Sequence, residues 1–143
     1  MKLVRHLLDA KGGGVISVTA DISVLDAIKI MAEKMVGSLL IMQGDELQGI
    51  VTERDYARKV IVKGRSSETT AVSEIMTSKV TTVSSQKTVN DCMALMTELK
   101  VRHLPIVDDG TVVGMLSMRD LVEAIISDQQ EEIEQLEQYI SGP

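Results

Sequence analysis

Aromatic residues are almost missing from this sequence, which has no Trp, no Phe and two Tyr among its 143 residues. The core must therefore be built from Val, Ile, Leu and nine Met, and a flat ligand has to lie between aliphatic side chains. The only cysteine, Cys92, excludes an internal disulfide, and the sequence has no cluster of metal-ligating residues. A chain without an internal disulfide is expected in the cytoplasm.

An excess of positive charge and long apolar runs are also missing. The formal net charge is -6, which argues against nucleic acid as the main partner because binding to a phosphate backbone needs a basic face. No apolar run is long enough to span a membrane, and the N-terminus lacks the apolar core of a signal peptide. We therefore expect neither a membrane nor a nucleic acid as partner, whereas a small anionic ligand held by a few Arg and Lys is compatible with the charge.

The chain contains an internal repeat. A shift of 65 residues aligns residues 15–56 with residues 80–121 without a gap, and twelve of the 42 aligned positions are identical. About three identities are expected by chance from ordinary composition. Two copies, rather than many, predict a pseudo-twofold domain and not a solenoid.

Each copy has the same order of predicted elements. A β-like run at residues 15–18 or 80–83 is followed by a helix, two apolar strands joined by a turn, and a second helix. Capping boxes mark the first helix of each copy, Ser23 with Asp26 and Thr88 with Asp91. The predicted fold class is α/β (α+β), with tandem pseudo-twofold β-α-β-β-α repeats that bury their open sheet faces against each other.

The predicted domain boundaries follow the repeat. Residues 1–65 form the first repeat with an N-terminal helix, residues 66–127 form the second repeat, and residues 128–143 form a C-terminal amphipathic helix. In that last segment Ile133, Leu136 and Ile140 follow 3-4 spacing. The helix is expected to pack on the module or on a second subunit, and a fully solvated helix is the alternative.

The most informative motif occurs once in each copy, where a strand runs into a helix. It reads Gly-Ile-Val-Thr-Glu-Arg-Asp at residues 49–55 and Gly-Met-Leu-Ser-Met-Arg-Asp at residues 114–120. The simplest interpretation is another capping box. The alternative is a nucleotide site, because a helix N-terminus and an Arg favour phosphate while an Asp accepts hydrogen bonds from a ribose diol. The repetition of Gly, hydroxyl, Arg and Asp in both copies favours the second interpretation.

This doubled pattern resembles the cystathionine-beta-synthase (CBS) domain pair, or Bateman module, and specifically a stand-alone bacterial-type member. The resemblance covers residues 4–126 and implies two clefts that bind adenosine ligands: AMP, ADP, ATP, NAD(H) or S-adenosylmethionine. It also implies that an Asp holds the ribose while Thr or Ser approaches the phosphate, and that each cleft combines base-framing and ribose-holding parts from different repeats. The ligand-binding residues expected on this basis are Thr52, Arg54, Asp55, Ser117, Arg119 and Asp120, with Gly14, Ile16, Val36, Gly37, Ser38, Lys79, Thr81, Val101, Arg102 and His103 framing the base.

The second copy is the more cationic, since Arg102-His103 replaces Gly37-Ser38. Its cleft is therefore expected to prefer a more highly charged phosphate tail. Each of these residues also has a simpler interpretation, Arg102 as a solvated charge and His103 as a structural histidine. Arg58 and Lys59 follow the first motif and are either further phosphate contacts or solvating charges.

We expect a non-catalytic regulatory module rather than an enzyme. The sequence has no Walker loop, no Gly-x-Gly-x-x-Gly and no Cys/His pair with a supporting acid. No catalytic cofactor or metal is expected, only a bound adenosine ligand such as AMP, ATP or NAD. A structural dimerisation module without ligand and a module that binds S-adenosylmethionine are the alternatives. A homodimer and an unidentified protein partner are expected, with contacts through Tyr56, Val60, Leu121, Val122 and Ile125.

Overall fold

The computed structural model describes residues 2–12 and 14–142 and contains short sheets flanked by helices. Helix α3 continues directly into a single π-helical turn, and a short 3-10 turn precedes the second repeat. In chain order the elements are α1 (Val4–Lys11), β1 (Ser17–Val18), α2 (Val24–Lys34), β2 (Ser38–Gln43), β3 (Glu46–Thr52), α3 (Glu53–Tyr56), the π turn (Ala57–Ile61), the 3-10 turn (Val72–Glu74), α4 (Val89–Leu99), β4 (His103–Asp108), β5 (Thr111–Ser117) and α5 (Met118–Ser141).

The chain divides into two compact units, which we name by the repeat that supplies most of each. The first-repeat unit comprises residues 14–81 and 109–113. The second-repeat unit comprises residues 1–13, 82–108 and 114–143. The mixed α/β character expected from the sequence is confirmed.

A three-stranded sheet in the order β1-β2-β3 forms the centre of the first-repeat unit. Strand β1 runs parallel to β2, and β2 runs antiparallel to β3 with Ser38 opposite Thr52. Alternate and β-branched apolar side chains from the sheet, α2 and the π turn fill the core. The buried core residues are Val24, Ala27, Met31, Leu39, Ile41, Val51, Val60, Val72 and Ile75.

The second repeat lacks the strand predicted at residues 80–83, where only the bridge between Val83 and Ile106 forms. The reason is a proline. In the first repeat the Leu40 amide donates to the Ile16 carbonyl, but the matching position in β4 is Pro105, which has no N–H to donate. Strands β4 and β5 pair with each other, and helices surround a second core. Its buried residues are Val4, Val89, Cys92, Met96, Leu104, Ile106, Leu116, Leu121 and Ala124.

Helices α2 and α4 begin and end alike. Ser23 Oγ accepts from the Asp26 amide, and Thr88 Oγ1 accepts from the Asp91 amide, so both helices have the predicted N-cap residue. The reciprocal bond, from the Thr88 amide to Asp91 Oδ2 at 3.2 Å, confirms the predicted capping box in α4. In α2, among the described residues, only the bond to Ser23 Oγ forms, so the predicted capping box is incomplete there. Helix α2 ends at Met35 and α4 ends at Lys100, which are 65 positions apart in the sequence. Both residues adopt the left-handed backbone conformation.

The segment that leads into each repeat packs on the other repeat, which corrects the prediction that α1 belongs with residues 1–65. Val4 of α1 is fully buried in the second core, and Val72 and Ile75 are buried in the first. The two motif glycines explain the fit. A Cβ on Gly114 would lie 2.5 Å from Leu8 Cδ2, and one on Gly49 would lie 2.8 Å from the Thr77 carbonyl oxygen. These glycines therefore serve the packing of the leading segments.

Helix α5 runs without a break through the boundary predicted at residue 128, because the sequence offers no Gly or Pro there to end it. Residues 129–142 are all exposed, so this part of the helix does not pack on the module. In the part of the chain that the structure describes, no helix is both long and apolar enough to cross a membrane.

Candidate functional site

Both repeated motifs form complete capping boxes where a strand meets a helix. Thr52 Oγ1 accepts from the Asp55 amide at 3.2 Å, and Asp55 Oδ2 accepts from the Thr52 amide at 2.9 Å. The corresponding distances in the second motif are 3.2 Å for Ser117 Oγ and 2.8 Å for Asp120 Oδ2. The capping interpretation is therefore confirmed at both motifs. It does not exclude ligand binding, because a carboxylate oxygen can accept more than one hydrogen bond.

A lysine contacts the motif aspartate in each unit, but it comes from a different element. In the first-repeat unit, Lys59 Nζ lies 3.0 Å from Asp55 Oδ1 and donates to the Ile75 carbonyl at 2.8 Å. In the second-repeat unit, Lys11 Nζ of α1 lies 2.9 Å from Asp120 Oδ2 and donates to the Met115 carbonyl at 3.0 Å.

The repeat offset shows that the two lysines occupy non-equivalent positions. Ala124 stands at the position of Lys59 in the second repeat, and Met76 stands at the position of Lys11. Sequence reasoning missed Lys11, since nothing in α1 indicates that the helix packs on the other repeat.

The two carboxylates differ in the oxygen they leave available. Both oxygens of Asp55 are engaged, Oδ2 by Thr52 and Oδ1 by Lys59, and its side chain is 12% exposed. The Asp120 side chain is 22% exposed, and both Ser117 and Lys11 bind its Oδ2. Among the described residues, none donates a hydrogen bond to Asp120 Oδ1. The second site therefore has an acceptor oxygen ready for a ligand hydroxyl.

Several predicted base-framing residues gather at the end of the sheet that carries the first motif. Ser38 pairs with Thr52, and the Gly37 carbonyl accepts from the Glu53 amide at 3.1 Å. Ile16 lies on the neighbouring segment and is half-buried, as is Val36. The second unit repeats this arrangement, since the Arg102 carbonyl accepts from the Met118 amide at 2.7 Å.

Four other framing residues lie further along these segments. Gly14, Lys79 and Thr81 belong to the first-repeat unit and are exposed. Val101 belongs to the second-repeat unit, where its amide donates to the Met96 carbonyl at 3.1 Å. A role for these residues in binding the base stays a prediction.

The arginines predicted to contact phosphate lie in different environments. Arg119 Nε lies 3.0 Å from Glu123 Oε1 along α5, and its side chain is 86% exposed. Arg54 is exposed at the start of α3, and Arg58 is exposed on the π turn. The structure thus brings Lys59 and Lys11 to the motif carboxylates, and it pairs Arg119 with a glutamate instead.

His103 opens β4 and is half-buried within the second-repeat unit. Burial lowers the pKa of its imidazole, the Lys11 ammonium and the Arg102 guanidinium lower it further, and Asp120 opposes them. Burial of Asp120 works to raise the pKa of that carboxyl, but hydrogen bonds from Ser117 and Lys11 outweigh burial and lower it. At neutral pH the site therefore holds a neutral imidazole beside an ionised carboxylate.

Two features of the surface limit other interpretations. A cavity of about 650 Å³ in the second-repeat unit is lined by residues such as Lys2, Asn90, Ile125 and Asp128, none of which was predicted as a ligand contact. In the described ranges, 2–12 and 14–142, no three His, Cys, Asp or Glu side chains are grouped to hold a metal ion.

The predicted subunit-contact surface needs correction at two positions. Val60 and Leu121 are fully buried in the cores of their own units, so neither is available to a second subunit. Both occupy the inward face of the helix that follows a motif, which periodicity alone does not distinguish from an outward apolar face. Tyr56 and Ile125 are half-buried, and Val122 is exposed.

Comparison with known proteins agrees with this architecture. The family model of the CBS domain matches residues 13–62 and 72–127. The chain is 43% identical over 129 residues to the mitochondrial CBS domain-containing protein CBSX3 of Arabidopsis thaliana, covering 87% of this chain and 63% of that protein. It is 30% identical to the CBS domain-containing protein YhcV of Bacillus subtilis, covering 75% of this chain and 76% of YhcV. The chain thus spans just under two thirds of the Arabidopsis relative.

Solved structures show the same fold. A CBS-domain protein from Burkholderia ambifaria MC40-6 is 50% identical with a TM-score of 0.86, covering 90% of this chain and 96% of that one. The CBS domain pair of protein MJ0100 is 26% identical with a TM-score of 0.80, covering 90% and 98%. The MJ0100 structure is a complex with 5′-methylthioadenosine and S-adenosyl-L-methionine.

Proposed function

This chain belongs to the CBS domain family as a tandem pair, and from that premise we propose that it is a regulatory module whose two sites bind an adenosine-containing ligand. Asp55 and Asp120 accept hydrogen bonds from the ribose hydroxyls in this proposal. Thr52 and Ser117 lie beside the phosphate at the two helix starts. The adenine lies between the aliphatic residues that open each strand, because the chain has no Phe or Trp on which to stack it.

The observation that carries the proposal is the partly exposed carboxylate held at the same place in both units. Each Asp is fixed through a capping box, so its orientation does not depend on a ligand. A carboxylate held in this way loses little further freedom when it accepts a ribose diol. The open Oδ1 of Asp120 makes the second site the better prepared of the two.

The charge beside the carboxylates favours an anionic ligand. Lys59 and Lys11 each place an ammonium within 3.0 Å of a motif aspartate. A phosphate attached to the ribose would lie close to these ammonium groups and be attracted, whereas the sulfonium of S-adenosylmethionine would be repelled. We therefore propose AMP, ADP, ATP or NAD(H) ahead of S-adenosylmethionine, which the related MJ0100 pair binds.

Signalling requires a ligand that binds two arrangements of the module with different affinity. We propose that the ligand-bound arrangement is read by a protein partner and that the working form is a homodimer. Catalysis is not part of the proposal. The lone Cys92 suits a reducing compartment such as the cytoplasm.

Isothermal titration calorimetry with AMP, ATP, NAD and S-adenosylmethionine tests the proposal. We expect two binding events for an adenine nucleotide in the unaltered protein and one in each of Asp55→Asn and Asp120→Asn. Asparagine keeps an oxygen that accepts from the capped amide, so these variants retain the helix start and lose only the carboxylate charge. Glu123→Gln, at an exposed acid outside the motif, is the matched control.

The alternative is a structural dimerisation module without a ligand. It predicts no heat of binding and no thermal shift with any of the four compounds while the dimer persists. Equal binding by both Asp→Asn variants and the unaltered protein would place the ligand elsewhere, and the 650 Å³ cavity lined by Lys2 and Asn90 would then be the next candidate.

A further inference from the structure

The C-terminal half of α5 presents an apolar stripe along one side of an otherwise acidic helix. Its members recur at alternating intervals of three and four residues, which is the spacing by which one helix packs along another. All of them are exposed, and four of the five are apolar. We call them the distal α5 face: Ile126, Gln129, Ile133, Leu136 and Ile140. A continuous exposed row of this kind is typical of an interaction surface.

The remainder of the described chain leaves this face uncovered. Leu121 and Ala124 in the first turns of α5 are buried in the second core, whereas residues 129–142 are all exposed. Leu136 and Ile140 are 60% and 81% exposed. An amphipathic helix in a protein gains most of its stability from the surface that covers its apolar side. The distal α5 face therefore offers such a contact to another molecule.

Carboxylates border the face on both sides. Glu132 directly precedes Ile133 of the face, and Glu137 directly follows Leu136. These are the flanking positions whose charges select the partner of a packed helix. Among the described residues, no Lys or Arg forms an ion pair with Glu132 or Glu137. Residues 120–143 contain seven acids and no Lys or Arg, so this part of the helix has no cation of its own.

The same charges disfavour a second copy of this chain on the face. A parallel pair of α5 helices would set Glu132 of one copy beside Glu137 of the other. An antiparallel pair aligned residue 122 to residue 140 would set Glu132 beside Glu132 of the other copy, and Glu123 beside Glu137. Like charges repel in both arrangements. Charge complementarity therefore requires a helix that carries Lys or Arg at its own flanking positions.

A cavity beside the face shows that this side of α5 accepts an ammonium group. The cavity measures about 650 Å³, and Ile125 contributes to its wall. The chain's own Lys2 lines the cavity and places its Nζ 3.2 Å from Asp128 Oδ1. Two further carboxylates, Glu131 and Glu132, line the same cavity. A Lys or Arg flanking a docked helix would reach Glu132 in the same manner, with its aliphatic stem over apolar surface and its charged end at the carboxylate.

We propose that the distal α5 face is a docking site for a basic amphipathic helix of a different protein. The apolar side of that helix packs on Ile133, Leu136 and Ile140. Its flanking Lys or Arg residues pair with Glu132 and Glu137. The proposal gives a chemical class to the protein partner of the proposed function, and rests on that function only for the signal that the partner reads.

Two labelled peptides of about three heptads test the charge pairing on the full chain, both with Leu at the packing positions, one with Lys and one with Glu at the flanking positions. Fluorescence anisotropy is expected to show that the unaltered protein prefers the Lys peptide. In Glu137→Lys this preference should fall about tenfold, because attraction and repulsion are exchanged for both peptides. Glu134→Lys changes the net charge equally but lies outside the face, so it should keep the preference. Equal falls in the two variants, or no binding by the unaltered protein, overturn the proposal.

Leu136→Ala tests the apolar contact, with Gln138→Ala on the opposite side of the helix as the matched control. We expect the first variant to bind the Lys peptide about tenfold more weakly, because the peptide covers that leucine, and the second to bind it unchanged. Circular dichroism shows whether both variants keep the fold.

Two further measurements distinguish other occupants of the face. Self-association of the unaltered protein that Leu136→Ala abolishes, measured by light scattering, would mean that a second copy covers the face. Binding of the unaltered protein to phosphatidylcholine vesicles would mean that a membrane covers it. Either result overturns the proposal. The peptide titrations contain no nucleotide, and Asp120→Asn should leave them unchanged, so failure of the face and failure of the ligand sites remain distinguishable.

Discussion

At the scale of single residues, the two motif aspartates show how a duplicated sequence can give two different sites. The hydroxyl, the acid and their capping bonds are the same in both units. The difference lies in the cation, which comes from the following helix in one unit and from α1 in the other. As a result Asp55 has both oxygens engaged, while Asp120 keeps one oxygen free of bonds from the described residues.

Replacing Lys59 tests whether this difference controls affinity. Lys59→Ala gives the first repeat the residue that the second repeat carries at position 124. Adenosine, which has no phosphate, is expected to bind the Asp55 site up to about fivefold more tightly, because an exposed ion pair contributes about 0.2–1 kcal/mol. Calorimetry with Asp120→Asn as background isolates this site. Arg58→Ala is the control, and weaker adenosine binding by Lys59→Ala would instead make Lys59 a ligand contact.

The imidazole of His103 reports on Lys11. Burial and then Lys11 lower its pKa from the ordinary 6.5, so Lys11→Met, which copies Met76, should raise it again. NMR titration follows this directly, since the chain has only two histidines. The His6 resonance serves as the internal reference. An unchanged His103 pKa would mean that Lys11 is not held beside Asp120 in solution.

At the scale of elements, the motif glycines control how the leading segments dock. A Cβ at Gly49 meets the Thr77 backbone oxygen at 2.8 Å, whereas one at Gly114 meets only the end of the Leu8 side chain. We therefore expect Gly49→Ala to lower the free energy of unfolding by about 1–3 kcal/mol, and Gly114→Ala by less, because a side chain yields more easily than backbone. Urea denaturation measures both. A larger loss for Gly114→Ala would contradict the packing described.

Local features of these elements could be predicted from the sequence, and long-range features could not. The N-caps at Ser23 and Thr88 and the order of elements along the first repeat depend on neighbouring residues. The loss of the strand at residues 80–83 depends on Pro105, whose missing N–H matters only once the pairing partner is known.

The residues of the candidate site also divide into those that a local pattern reveals and one that only long-range packing brings in. Thr52, Asp55, Ser117 and Asp120 stand in a repeated local motif, so the sequence alone singles them out as candidates, and their role in binding stays a prediction. Lys11 reaches Asp120 from 109 residues away, because α1 packs on the second repeat. The sequence pattern that marks α1 as amphipathic does not say which sheet it covers, so its destination could not be predicted.

At the scale of the whole molecule, the lowered pKa values of several acids and of His103 all make the folded protein less stable as the pH falls. The pKa values of Asp91, Asp108, Asp120 and Glu74 are lowered by hydrogen bonds, chiefly from backbone and hydroxyl donors. That of His103 is lowered by burial. When the pH is below the unfolded-state pKa of one of these groups, the unfolded chain binds more protons than the folded chain. The free energy of unfolding therefore falls as the pH falls. The His103 contribution starts to be lost near pH 6.5 and the aspartate contributions near pH 3.8.

The thiol of Cys92 sets the alkaline limit. Burial raises its pKa from the ordinary 9.0, so the unfolded chain loses its proton first and stability falls as pH rises beyond that value. We therefore expect the melting temperature to be highest on a plateau between about pH 6.5 and pH 9, well above the isoelectric point of 4.9. Differential scanning fluorimetry from pH 4 to pH 10 checks this. Cys92→Ala truncates a buried side chain and should lower the melting temperature at every pH, but it should also remove the thiol's contribution to the fall above pH 9. A maximum near pH 5 would mean instead that repulsion among the excess carboxylates governs stability, since that repulsion is weakest where the net charge is zero.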